Sequence, residues 1–229
     1  MKRWFALLTL SACATAGPDP AGSPPDASNP PPPPGDAPPA DMPPPPPDDV
    51  TLQQTGDMNI ASAVPGCGNL LGDVFAMGWY RAFPLADHQI SGPFHVQKVT
   101  FGVQSAQGSP TLTVKLGTFT GTLDGTTISL SKITQLTSTD VTVTGTGASL
   151  VDAPIAADVP AGSTLVVEIA QKQTTVDDPM VVFGATGSAE THLSYMRAAA
   201  CNGGSSTPHS MADWGSAASH LLITVTGTR

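Results

Sequence analysis

Basic residues are scarce in this chain of 229 residues. Lysine and arginine together number 9, against 18 aspartates and glutamates, which gives a formal net charge of -9. Proteins that bind the phosphate backbone of nucleic acids need a basic surface. We therefore expect this chain to have no nucleic-acid partner.

Long apolar runs and the common catalytic motifs are missing as well. After the first 12 residues no stretch is long enough to cross a bilayer as a helix, and none repeats its apolar residues at the helical period. The chain has no Gly-x-Ser-x-Gly elbow, and its cysteines and histidines show no zinc-site spacing. These absences favour a protein that is not an enzyme, and a hydrolase with unmarked residues is the less favoured alternative.

The N-terminus is the most distinctive part of the sequence. Met1-Lys2-Arg3 is basic, Trp4 to Leu10 is a short apolar run, and Leu10-Ser11-Ala12-Cys13 follows. This arrangement resembles the signal peptide (residues 1–12) and lipobox of bacterial lipoproteins. The resemblance implies a lipidated Cys13 and stable membrane attachment, because more than one acyl chain anchors a protein firmly. Ordinary secretory cleavage after Ala14 is the alternative, and it predicts a soluble product.

The residue after the lipobox cysteine suggests where the protein goes. It is Ala14 rather than aspartate, which in many Gram-negative lipoproteins implies transport to the outer membrane. We expect an outer-membrane lipoprotein of the cell envelope, and both the periplasmic and the external face stay open.

Residues 13–49 have an unusual composition. Pro30 to Pro34 and Pro43 to Pro47 are unbroken proline runs, and the segment holds six aspartates and no basic residue. Proline fixes φ and removes the amide donor, so the composition predicts a disordered, extended tether that reaches about 100 Å. A ligand for a proline-recognition domain is the alternative.

Residues 50–229 predict a single all-β domain. Apolar residues alternate with polar ones at period two around Leu112 to Leu116, Leu165 to Ile169 and Leu221 to Val225. Glycine, proline and aspartate turns separate about ten such segments, which favours a β-sandwich, in particular a jelly roll. The other expected strands are Met58–Val64, Phe75–Leu85, Phe94–Ser105, Thr126–Leu136, Asp140–Thr144, Ser149–Ala156, Met180–Ala185 and Leu193–Arg197.

Four segments of this domain carry a second resemblance. They are Trp79 to Phe83, Val99 to Ala106, Val159 to Glu168 and Ser194 to Ala198, and they are similar to a recurrent β-sandwich domain of bacterial secreted proteins. The resemblance implies an accessory module with no established chemistry. The chain departs from that group between Asn202 and Ser219.

Two cysteines remain once Cys13 is assigned to lipid. Cys67 and Cys201 are an even number in an oxidising compartment, so we expect a disulfide that closes a large loop. Metal ligation by the two thiols is the competing interpretation.

Candidate ligand contacts are few. Trp214, in a loop rich in glycine and serine with Asp213 and His209 nearby, is the best aromatic platform for a glycan, and Tyr195 is a second aromatic candidate. We interpret Trp79 as a core residue.

Calcium is the one cofactor that the pattern suggests. Asp177-Asp178 is the densest acidic pair, and Asp73, Asp87 and Asp213 would add oxygens if their loops converge. An Asp-Asp-Pro turn without metal explains the pair equally well. Arg81 and Arg197 are expected to pair with acids across a sheet.

The sequence therefore predicts a non-enzymatic, membrane-anchored surface lipoprotein. Its tether would present a β-sandwich that binds a glycan, a polymer or a protein. The alternative is a structural lipoprotein that packs in an envelope assembly.

Overall fold

The computed structural model describes residues 48–123 and 125–229. The signal peptide, Cys13 and nearly all of the tether lie outside these residues. The described strands are β1 (Asp49–Leu52), β2 (Ser62–Ala63), β3 (Met77–Pro84), β4 (Phe94–Gln107), β5 (Thr111–Phe119), β6 (Ile133–Thr142), β7 (Ser149–Val159), β8 (Thr164–Gln171), β9 (Met180–Thr186), β10 (Tyr195–Arg197), β11 (His209–Ser210), β12 (His220–Leu221) and β13 (Ile223–Thr228). Two 3-10 helices span Leu85–His88 and Leu130–Lys132. Among the described residues there is no helix of the length and apolarity that a membrane crossing needs.

The strands form two antiparallel sheets that pack face to face. The seven-stranded sheet has the order β1-β13-β4-β9-β12, with β7 also paired to β4 and β2 to β9. The six-stranded sheet has the order β11-β10-β3-β8-β5-β6. The expected all-β sandwich is confirmed, and the finer expectation of a jelly roll stays a prediction.

The main core fills the space between the two sheets. The inward side chains of β5 and β8, from Leu112 to Leu116 and from Leu165 to Ile169, are buried at every second position. Trp79 is 1% exposed and stacks on Phe183 of the opposite sheet, with ring centroids 4.7 Å apart. The period-two prediction for these strands and the core assignment of Trp79 are therefore confirmed.

A smaller apolar cluster covers the outer face of the six-stranded sheet. Ile128, which follows β5, packs there against Tyr80, Val166 and Tyr195. The segment around Ile128 covers the outer face of the sheet at β3. The middle of β3 is therefore buried on both sides, and its sequence shows no alternation of apolar and polar residues.

The segment around Ile128 contradicts one of the predicted strands. The range Thr126–Leu136 was predicted to be a strand throughout, but β6 begins only at Ile133. Before it, the amide of Ile128 donates to Pro208 O, and the 3-10 helix at Leu130–Lys132 turns the chain. Met58–Val64 likewise forms only the two-residue β2.

The C-terminal segment changes partner at Leu222. Leu221 pairs with Ala185 of β9, whereas Ile223 pairs with Phe101 of β4. Leu222 lies between the two strands, and its carbonyl accepts a hydrogen bond from the amide of Gly102. This explains why Leu222 is buried although the sequence pattern places it on the polar face.

The expected disulfide is present. Cys67 and Cys201 are bonded across 134 residues of sequence, with their Cα atoms 5.9 Å apart. The bond ties the segment before β3 to the loop after β10.

Candidate functional site

The aromatic loop proposed from the sequence forms a packed corner. Tyr195 of β10 pairs with Ser210 of β11, and the indole Nε1 of Trp214 donates to Met196 O at 3.1 Å. His209 Nδ1 lies 3.5 Å from Asp213 Oδ2. The structure thus brings all four candidate residues to one end of the sheet.

Exposure within this corner is uneven. Tyr195 is 1% exposed, and its hydroxyl donates to Gly125 O, so its ring offers no platform to a ligand. Trp214 is half-buried and packs against the main core. Ligand binding at Trp214 remains a prediction, with part of one aromatic ring available for it.

Most of the aspartates proposed for calcium have local partners. Asp178 Oδ2 accepts hydrogen bonds from the amide and hydroxyl of Thr175, at 2.7 and 2.8 Å, and these bonds lower the pKa of Asp178. Asp73 accepts from Asn69, and Asp87 pairs with His192. Within residues 48–123 and 125–229, no three acidic, histidine or cysteine side chains are grouped as a metal site requires. Calcium binding stays an untested prediction.

Arg81 lies inside the sandwich, where it pairs with an acid as expected. Its side chain is 0% exposed, and Nη2 lies 2.9 Å from Glu190 Oε2. Nε donates to Leu221 O at 2.9 Å, and Nη1 donates to Gln54 Oε1 at 3.0 Å and to His192 O at 3.1 Å. Burial lowers the pKa of Arg81 to about 10, against the opposing effect of Glu190, so the guanidinium stays charged at neutral pH. This network joins the two sheets.

Arg197 also pairs with an acid as expected, in a polar cluster on the outer face of the six-stranded sheet. Glu168 of β8 is at its centre and accepts from the Tyr80 hydroxyl at 2.8 Å and from Arg197 Nη2 at 3.0 Å, both on Oε1. Lys115 Nζ lies 3.2 Å from Oε2 of the same carboxylate. One carboxylate therefore faces two cations, and the cluster has a net charge of +1.

The cluster lines a shallow cavity, which we call the Glu168 depression. It has a volume of about 250 Å³. Its lining residues are Tyr80, Lys115, Leu130, Ile133, Gln135, Glu168 and Arg197. A Cβ atom at Gly78 would lie 3.0 Å from the Tyr80 hydroxyl and 3.1 Å from Glu168 Oε1, so glycine at this position lets both side chains lie where they do.

Tyr80 acts in this depression as a hydrogen-bond donor. Burial, followed by the charge of Glu168, raises the pKa of Tyr80 far above its usual range. The phenol therefore stays protonated and holds the carboxylate in place.

Sequence reasoning missed the Glu168 depression because its members come from separate strands. Tyr80 pairs with Glu168 in the register of β3 and β8, and Glu168 pairs with Lys115 in the register of β8 and β5. The available signal was that Lys115 and Glu168 alternate with core residues on their own strands, whereas the strand of Tyr80 shows no such alternation. Nothing local in the sequence indicates that the three strands are neighbours.

A tight loop after Cys67 presents two leucines to solvent. Leu70 is fully exposed and Leu71 is 79% exposed. Asn69 Oδ1 accepts hydrogen bonds from the amides of Leu71 and Asp73, at 2.9 and 3.1 Å, which fixes the loop in this form. Two ordered leucines in solvent are a candidate contact for a partner.

Comparison with known proteins gives no family for this chain: no protein-family model matches it, and no curated protein is significantly similar to it.

Proposed function

We propose that this chain is a membrane-tethered, non-enzymatic binding module of the bacterial cell envelope. Its β-sandwich binds a polymer that carries anionic groups, such as an acidic glycan, at the Glu168 depression. Cys13 supplies the lipid anchor, and residues 14–49 supply the tether that holds the domain away from the membrane.

The observation that carries this proposal is the excess of positive charge around Glu168. The side chains of Lys115 and Arg197 are each 32% exposed, while that of Glu168 is 14% exposed. An incoming anion therefore meets the two cationic groups before it meets the carboxylate. In a chain with a net charge of -9, this exposed pair of cations favours anionic groups at one place on the surface.

The depression also offers hydrogen-bonding groups suited to a glycan. Gln135 is exposed and lines the depression together with Lys115. Leu130 and Ile133 supply an apolar side wall. A ring with hydroxyl and carboxylate groups would find donors, acceptors and an apolar surface together, as sugar-binding sites require.

The experiment is a binding screen of the full chain against immobilised acidic polysaccharides and their neutral counterparts. We expect binding to an acidic polysaccharide that weakens as salt is added and is lost when Lys115→Gln and Arg197→Gln are combined. Lys98→Gln is the matched control, because Lys98 makes an exposed ion pair with Asp152 on the other sheet. A blank screen, or binding that survives the double substitution, contradicts the proposal.

Trp214→Ala separates the two candidate sites in the same screen. If only this substitution abolishes binding, the ligand lies at the aromatic corner and not at the Glu168 depression.

The loop that exposes Leu70 and Leu71 favours a second function, that of a structural lipoprotein in an envelope assembly. In this case cross-linking of whole cells should recover one fixed envelope partner, and Leu70→Ser combined with Leu71→Ser should remove it. Leu150→Ser is the control, since Leu150 is 47% exposed on β7. Recovery of the same partner with the double variant would exclude this contact.

A further inference from the structure

A second cavity opens on the outer face of the six-stranded sheet, next to the Glu168 depression. We call it the hydroxyl cavity, and its volume is about 230 Å³. Four of its six lining residues carry a hydroxyl or an ammonium group, and none of the described lining residues is acidic. The lining residues are Phe119, Thr122, Gly125, Thr127, Ser129 and Lys132.

Strand pairing places the hydroxyl cavity beside the Glu168 depression. Phe119 lines the hydroxyl cavity, Ile133 lines the depression, and the two residues pair in the register of β5 and β6. Side chains paired in this way lie about 5 Å apart. The 3-10 helix between them also contributes to both, since Leu130 lines the depression and Lys132 lines the hydroxyl cavity. The two cavities therefore adjoin along this segment.

Basic side chains are concentrated around the two cavities. From Val50 onward the chain has seven lysines and arginines, and three of them line one cavity or the other: Lys115, Lys132 and Arg197. Lys132 is exposed, and its ammonium forms no ion pair with the residues that the structure describes. Glu168 is the one carboxylate among the described lining residues. Three cations around one carboxylate favour a ligand with more than one anionic group.

The volumes and hydroxyl groups also suit a ligand that extends over both cavities. Each cavity is smaller than the about 300–1,000 Å³ that ligand pockets usually have, whereas the two together fall within that range. Thr122 and Thr127 are exposed in the hydroxyl cavity, and their hydroxyls form no hydrogen bond with the described part of the chain. Both hydroxyls are therefore available to a polar ligand.

We infer that this surface binds an acidic glycan chain of at least two consecutive sugar units. One unit lies in the Glu168 depression, with its anionic group at Lys115 and Arg197. The next unit lies in the hydroxyl cavity, where Lys132 meets a second anionic group and the threonine hydroxyls bond to the sugar. This minimum length rests on the function proposed for the Glu168 depression, which it refines.

Galacturonic acid and its linear dimer test the minimum length on the full chain. Each unit carries one carboxylate, so the two probes differ in the number of acidic units. NMR titrations at low salt should give an affinity about tenfold higher for the dimer, because the second unit adds a charge-assisted hydrogen bond. The amide resonances of Thr127 and Ser129 should shift with the dimer and not with the monomer.

Lys132→Gln should lower the affinity for the dimer about fivefold, as loss of an exposed ion pair predicts, and so reduce the advantage of the dimer. Lys172→Gln is the matched control and should keep that advantage, since Lys172 is exposed and lines neither cavity.

Two kinds of failure are distinguishable in these titrations. Equal affinity for the two probes, or an affinity for the dimer that Lys132→Gln leaves unchanged, would overturn the two-unit site. The proposed function would still stand in that case if Lys115→Gln combined with Arg197→Gln abolished binding. If neither probe binds, the proposed function and the two-unit site both fail.

Discussion

The guanidinium of Arg81 and the carboxylate of Glu190 lie 2.9 Å apart inside the sandwich, with side-chain exposures of 0% and 9%. Arg81 belongs to β3 of the six-stranded sheet, and its Nε donates to Leu221 O of the seven-stranded sheet. Glu190 also accepts from the hydroxyl of Ser194 at 2.6 Å. The ion pair is therefore part of the packing between the two sheets.

Removal of one partner from this pair should be strongly destabilising. Arg81→Met removes the guanidinium from the buried carboxylate of Glu190 and leaves the imidazole of His220, 3.0 Å away, as its basic neighbour. We expect the free energy of unfolding to fall by about 3–5 kcal/mol. Urea denaturation measures the change. The double variant with Glu190→Gln should recover part of the loss, and Lys98→Gln, at an exposed ion pair, should cost at most about 1 kcal/mol. A loss for Arg81→Met as small as that of Lys98→Gln would contradict the structural role given to the pair.

The disulfide should make a comparable contribution. Replacing Cys67 and Cys201 together with serine releases a constraint across 134 residues of sequence, and we expect a loss of about 2–5 kcal/mol. Thermal unfolding with and without a reducing agent measures this. Reductant should lower the Tm of the native chain and leave that of the double variant unchanged; a reductant-insensitive native chain would show that the bond is not formed.

Gly227 should not tolerate a side chain. It lies at an irregularity in the pairing of β13 with β4, where a Cβ atom would collide with His95 O and lie 2.8 Å from Cζ of Phe94. We expect Gly227→Ala to cost about 1–3 kcal/mol in denaturant unfolding. Gly147→Ala, at a site where a Cβ meets nothing within 4 Å, should change stability by less than about 0.5 kcal/mol. Similar values for the two variants would argue against this register.

Stability should depend on Asp57 at acid pH. The pKa of Asp57 is lowered, first by the hydrogen bond from the Ser188 hydroxyl and then by the amide of Asn59 and the hydroxyl of Thr186. A carboxylate with a lower pKa in the folded chain contributes stability above its unfolded pKa of about 4, and this contribution disappears as pH falls through the folded pKa. Urea midpoints below about pH 4 should therefore fall less steeply for Asp57→Asn than for the native chain. Ser188→Ala should act in the same direction, and an unchanged slope in both variants would refute the assignment.

Lipidation at Cys13 is tested by mass and by fractionation. We expect the mature chain to begin at Cys13 with a diacylglyceryl adduct and to sediment with membranes, since more than one acyl chain anchors stably. Cys13→Ser should abolish the adduct. The unlipidated chain should then either be released from the membrane or be retained there as an uncleaved precursor. A native mature chain without the adduct would instead support ordinary secretory cleavage.

Much of the fold could be predicted because strand periodicity is local. Leu112, Val114 and Leu116 alternate with polar residues, and the structure buries all three. The pairing of Cys67 with Cys201 was predicted from their even number and from the expectation of an oxidising compartment. The prediction of a strand over Thr126–Leu136 was wrong because Ile128 packs on the outer face of a sheet, and the local sequence pattern does not reveal that packing.

The candidate sites were less predictable, because they depend on which strands are neighbours. Trp214 and His209 were found from local composition, and the structure does bring them together. The Glu168 depression was not found, since it combines residues that are distant in sequence.

The sequence alone determined the strand class, the sandwich expectation and the pairing of Cys67 with Cys201, because alternation and cysteine number follow from local order and composition. The tertiary structure decided that Arg81 lies inside and that Glu168 faces two cations. These features arise from the order and register of strands, which non-local packing selects and no short segment encodes.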